Sequence, residues 1–196
     1  HTTEVIRYAN KKGMLTYVTT NGDFVNHLGL IGLRLAGLDM LAFSLHNTTE
    51  KSLAHIISRA RMAAKEGIIP IINVVFTKDR VDEILNIAEI CAANGIIFST
   101  GIVQERGGGF SAVPEKSQIP TPEQQRLVFD RLLELKRKTG LVITNKKYLN
   151  HATDFPDNTW KCNPEANPFI HIRAIEKGLI GVCQEVSTDF KAGEIS

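Results

Sequence analysis

The chain has 196 residues, 43% of them hydrophobic, and a formal net charge of +2. That length supports one domain with a substantial core and a small appendage, and the balanced charge argues against a nucleic-acid or membrane-surface protein. No apolar run is long enough to span a bilayer and no signal peptide is visible, so the expected compartment is the cytoplasm.

Thr2 to Lys12 reads as a helix closed by Gly13, followed by a strand over Leu15–Thr20. The chain opens at His1 already inside that helical pattern, which reads as a piece of a longer protein. Phe24 to Ala36 is helical in pattern and ends at Gly37; Leu38–Leu45, nearly all apolar, is a second strand of the kind buried on both faces. Glu50 to Glu66 carries Leu53, Ile56, Ile57, Ala60 and Ala64 on one helical stripe, and Gly67 closes it. Ile69–Phe76 is the third strand, Asp79 to Asn94 the next helix with Cys91 on its apolar stripe, and Ile96–Val103 the fourth strand after Gly95. A loop from Gln104 to Ile119 holds Gly107-Gly108-Gly109. Thr121, Pro122 and Gln124 then have the spacing of an N-cap, a first-turn proline and a capping box, opening a helix to about Lys138. The basic run Lys136-Arg137-Lys138 falls at its end, where cations suit the dipole. Leu141–Thr144 is expected as a short fifth strand.

Strict alternation of strand and helix implies right-handed βαβ units and a parallel sheet, either open and doubly wound or an arc of a (β/α) barrel. In both, ligands gather at the carboxyl ends of the strands. Those ends here are small and polar: Thr19-Thr20-Asn21-Gly22, Ser44-Leu45-His46-Asn47, Asn73 with Thr77, and Ser99-Thr100-Gly101 followed by Gln104 and Glu105. Thr20 and Asn21 are expected on a ligand-facing rim, although Asn-Gly is also an ordinary turn dipeptide. The glycine triplet is not adjacent to a helix start, so a flexible substrate-side loop suits it better than a phosphate cradle.

After about Asn150 the pattern changes, with short β-like runs at Phe169–Ile172 and Leu179–Cys183 joined through Glu176-Lys177-Gly178. Cys162 precedes this hairpin and Cys183 ends it, with fifteen residues between Cys162 and Gly178 and four between Gly178 and Cys183. Thiolates are the ligands of iron–sulfur clusters, so the hairpin reads as half of a cluster cage; two cysteines cannot hold a cubane alone, and simple burial is the competing reading. Three cysteines in all do not make a disulfide framework.

Several of these segments together resemble the radical S-adenosylmethionine superfamily, in particular members with a SPASM or twitch extension. "LTYVTTNG" resembles the third strand of that barrel, "AGLDMLAFSLH" the fourth, "IIPIINVVFTKDRVDEILNIAEICAANG" the fifth with its helix, and "WKCNPEANPFIHIRAIEKGLIGVC" the opening of the extension. The resemblance implies a partial (β/α) barrel over 1–150 and the start of an auxiliary-cluster extension over 151–196. It implies a 4Fe-4S cluster that reductively cleaves S-adenosyl-L-methionine to a 5'-deoxyadenosyl radical, which takes hydrogen from a small-molecule or peptide substrate. A flavodoxin or ferredoxin would donate the electron. Carried over, Ser44 and Asn73 would contact the cofactor, Thr20 and Asn21 would lie on the cofactor or substrate side, and Cys162 and Cys183 would be auxiliary-cluster ligands. His46 stands where the family often has aspartate; His46, Gln104 and Glu105 are the weaker, substrate-side candidates. The family's Cys-x3-Cys-x2-Cys signature is absent. The chain therefore reads as a fragment entering after the second strand and inactive by itself, with a degenerate homologue as the alternative. An aldolase-like barrel and a non-catalytic binding module are the other readings. The former needs a strand-end lysine or metal, and Lys78 falls just beyond a strand.

Overall fold

A computed structural model describes residues 2–46, 48–103 and 118–151, and the backbone of three short strands in the last part of the chain. The chain divides into two units, His1–Val103 with Gln118–Asp154, and Gln104–Ser117 with Phe155–Ser196.

The first unit holds β1 (Tyr17–Thr20), β2 (Met40–Ser44), β3 (Ile69–Phe76) and β4 (Ile97–Ile102) in one parallel sheet, ordered in space as in sequence. Helices α1 (Thr2–Lys11), α2 (His27–Ala36), α3 (Glu50–Lys65), α4 (Val81–Ala93), α5 (Pro122–Thr139) and α6 (Lys146–His151) accompany it. A doubly wound sheet reverses its strand order at a switch point; this one steps the same way each time, which is an arc of a (β/α) barrel.

Period-two alternation gives the sheet two unlike faces. Leu41, Phe43, Ile72, Val74, Phe76 and Phe98 join the stripes of α3, α4 and α5 in one apolar core. Ala42 and Ile71, though buried, point to the other face, called the inner face below, and lie outside that core. Cys91 sits in the core as expected, and burial pushes its thiol up to about 12.

Helix ends follow their sequence signals. Gly37 and Gly140 cap α2 and α5 in the left-handed region, and Thr121 and Gln124 close a reciprocal capping box. At the amino-terminal end of the strands, Thr16 and Asp39 lock β1 to β2. The Thr16 backbone N–H donates to Asp39 Oδ2 at 2.8 Å and the Asp39 N–H donates to Thr16 Oγ1 at 2.9 Å. The Thr16 N–H, then its hydroxyl, hold the Asp39 carboxyl below its usual value.

Two expectations need correction. Helix α2 starts at His27, not Phe24, because the Asn26 side chain caps it by accepting from the Gly29 N–H at 2.8 Å. The segment Leu141–Thr144 contributes one parallel bridge, Phe98 with Val142, rather than a strand. The chain after it turns at once into α6, whose Leu149 is buried and whose Tyr148 packs on Phe129.

In the second unit, β5 (His171–Arg173) pairs antiparallel with β6 (Leu179–Gly181), within the two β-like runs expected there except for Arg173, and the expected turn at Glu176-Lys177-Gly178 lies outside the described residues. A further short strand, β7 (Phe190–Lys191), pairs with β6.

Candidate functional site

The carboxyl end of the sheet is built on the inner-face side chains. In-register pairing places Ser44 beside Asn73, and Asn73 beside Ser99, so three adjacent strands present hydroxyl, amide and hydroxyl in one row. All three are half-buried. Thr19, Ala42 and Gly101 on the same face keep the neighbourhood small. Ser99 was passed over in the sequence reading as a single site residue; the signal was available, since it is two positions before the small Gly101 on an alternating strand.

Ser44 also belongs to a cavity of about 620 Å³ where the ends of β1 and β2 meet the start of α3. Asn21 and Asp23 come from the turn after β1, Leu45 and His46 from the end of β2, and Thr49, Lys51, Ser52, His55 and Ile56 from the first turns of α3. Its size suits one small ligand. The α3 residues could not be found from strand-end logic; they reach the cavity because the β2–α3 connection is short.

The turn after β1 is more constrained than an ordinary Asn-Gly dipeptide. Gly22 has φ 82° and a Cβ there would sit 2.9 Å from Ile56 Cδ1 and 3.1 Å from Phe43 Cδ1. The Asn21 side chain donates to Asp23 Oδ2 at 2.8 Å and accepts from the Asp23 N–H at 3.3 Å, which orients both residues at the cavity rim.

Of the residues expected on the rim, Asn21, Ser44 and His46 are together in the cavity, and Asn73 adjoins Ser44 in the row. Thr20 is not with them. It pairs in register with Phe43, on the helix-packed face, and its hydroxyl accepts from the Gly22 N–H at 3.1 Å. Strand alternation puts it one residue out of phase with Ser44 and Asn73. Gln104, Glu105, the glycine triplet, Cys162 and Cys183 lie outside the described residues.

Among the described residues, no three of His, Cys, Asp and Glu gather as a metal-binding group, and no helix is long and apolar enough to cross a membrane. Cys91 is closed in the apolar core and does not line the cavity.

No family model matches the chain. No curated protein matches it either. Among solved structures, it is similar to Streptococcus suis SuiB bound to S-adenosylmethionine, at 16% identity and a TM-score of 0.62. The two share a fold. The match takes in 92% of this chain and 45% of SuiB. The fold expected from the sequence, an arc of a (β/α) barrel, is thus shared with a solved protein.

Proposed function

We propose that this chain is part of a radical S-adenosylmethionine enzyme, and that the cavity and the row beside it bind S-adenosylmethionine. The carrying observation is that Ser44 belongs to both: it lines the cavity with Asn21 and His46 and heads the row with Asn73 and Ser99. The likeness to a S-adenosylmethionine-bound protein supports this ligand over others of the same size.

The donor set fits a nucleoside. Serine hydroxyls both donate and accept, and an asparagine amide does the same from two atoms, so ribose hydroxyls can be matched in either sense. Ser44 and Asn73 are assigned to the ribose or carboxylate side and Asn21 to the rim, with His46 closing the cavity over the ligand. With a 4Fe-4S cluster bound, S-adenosylmethionine would supply one-electron hydrogen-abstraction chemistry. The chain's own share is to bind, orient and exclude water. The catalytic cluster's three-cysteine motif is absent from this sequence, and Cys162 and Cys183 are assigned as auxiliary-cluster ligands, with Gln104 and Glu105 facing the substrate. The expected setting is cytoplasmic, with a flavodoxin or ferredoxin as electron donor, and the 196 residues alone are expected to show no turnover.

The test uses S-adenosylhomocysteine, which has the nucleoside but needs no reducing cluster, observed by saturation-transfer NMR and titration calorimetry on the 196-residue chain. Binding is expected, weakened about tenfold or more by Ser44→Val and by Asn73→Leu, because each leaves a ligand polar group unpaired. Absence of binding at millimolar ligand, or binding indifferent to both substitutions, overturns the reading.

A further inference from the structure

We infer that Arg80 is a positioning residue that holds the cavity wall in shape. The inference rests on the reading that the cavity is the ligand site. Arg80 stands directly before α4, and its side chain is 19% exposed. Its Nη2 donates to the His46 carbonyl at 2.9 Å and to Thr48 Oγ1 at 2.9 Å. Its Nε donates to Glu83 Oε2 at 2.9 Å, one turn further along α4. One guanidinium therefore anchors on one helix and grips the connection leading into another. A planar fork with five donors can do this; a lysine ammonium, a point charge on a flexible stem, cannot hold all three acceptors in the same geometry.

What the fork grips is the wall itself. Thr48 directly precedes Thr49, the N-cap of α3, whose side chain accepts from the Ser52 N–H. His46, Thr49 and Ser52 all line the cavity. Without the clamp, the His46 carbonyl and the Thr48 hydroxyl lose a charged donor.

The base of the strut is also tied down. Thr77 Oγ1 donates to Asp79 Oδ1 at 2.7 Å and the Arg80 N–H to the Thr77 carbonyl at 3.1 Å, closing the turn that presents Arg80. The Lys78 N–H donates to the Gln118 carbonyl at 2.9 Å, and Gln124 Nε2 donates to the Lys78 carbonyl at 3.0 Å. Gln124 is the same residue that completes the α5 capping box. Arg80 thus connects a firmly held turn to the segment that leads into α3.

The experiment compares Arg80→Met, Arg80→Lys and Glu83→Gln with the wild-type chain. Amide shifts of His46, Thr48, Thr49 and Ser52 are read without ligand, and the affinity for S-adenosylhomocysteine is then measured. Arg80→Met is expected to move all four amides and weaken binding about tenfold. Arg80→Lys should recover part of both effects, and Glu83→Gln should give the same pattern at smaller size, with a fold intact if Arg80→Met does not fold. Amides that stay in place in Arg80→Met, or in Glu83→Gln should the former fail to fold, overturn the inference. So does an Arg80→Met chain that moves the amides yet binds as tightly as wild type. If the amides move and the wild-type chain binds no S-adenosylhomocysteine, the clamp stands and the cofactor reading falls.

Discussion

The two faces of the same four strands have opposite characters. Phe43, Ile72 and Phe98 share one cross-strand row and are at most 1% exposed, packed beneath helices. One residue further along, Ser44, Asn73 and Ser99 form the next row, half-buried and polar. Adjacent positions on each strand therefore divide between holding the sheet and presenting polar groups on its inner face. A site built in this way inherits its spacing from the strand pairing and needs no structure of its own to maintain it.

The largest test of this division is Phe43→Ala. It opens a cavity under α3 and should cost about 3–5 kcal/mol of stability in urea denaturation, whereas Asn73→Leu one row away should stay within about 1 kcal/mol while weakening ligand binding. Equal losses from both would erase the distinction between the faces. Gly22→Ala should come next, at about 1–3 kcal/mol, since it places a side chain at positive φ against Phe43 and Ile56. Because the strain falls on the turn carrying Asn21, ligand affinity should drop with it; an alanine chain of wild-type stability would show that the turn can relax.

The smallest effect lies at the far end of the strands. The Asp39 carboxyl is held below its ordinary value of 3.8 by the Thr16 N–H and hydroxyl. Its ionised form is thus favoured by folding, so its contribution is complete above about pH 4 and fades as the pH falls through the lower folded value. Asp39→Asn should flatten the acid side of a stability-against-pH curve without abolishing its slope, because the carboxyls of Asp79 and Glu123 are held low as well. An unchanged acid limb would mean that the Thr16 pairing contributes nothing in solution.

The order of elements was readable because local chemistry marks it: glycines follow the helices at 13, 37, 67, 95 and 140, each at positive φ, and apolar stripes keep helical spacing. The polar strand ends were readable for the same reason. The phase of each strand was less so. Thr19, Thr20 and Asn21 are all polar, so nothing in their order says which shares a face with Ser44; only the register with β2 decides it. Leu141–Thr144 looks like a strand because Val142 is apolar and flanked by β-formers, yet pairing stops after one bridge and the chain is diverted into α6. The clamp by Arg80 depends on contacts between elements more than thirty residues apart, 34 for His46 and 32 for Thr48, and a linear pattern carries no trace of them.

Cys91 has a consequence for how the molecule behaves over time. The nucleophile of a thiol is its thiolate, and with its proton held to about 12 this one offers almost none in the closed fold. An alkylating reagent can reach the sulfur only when α4 lifts from the sheet. Modification at Cys91 is therefore a built-in clock, ticking at the frequency with which that layer breathes open, whatever is or is not bound at the other side of the strands.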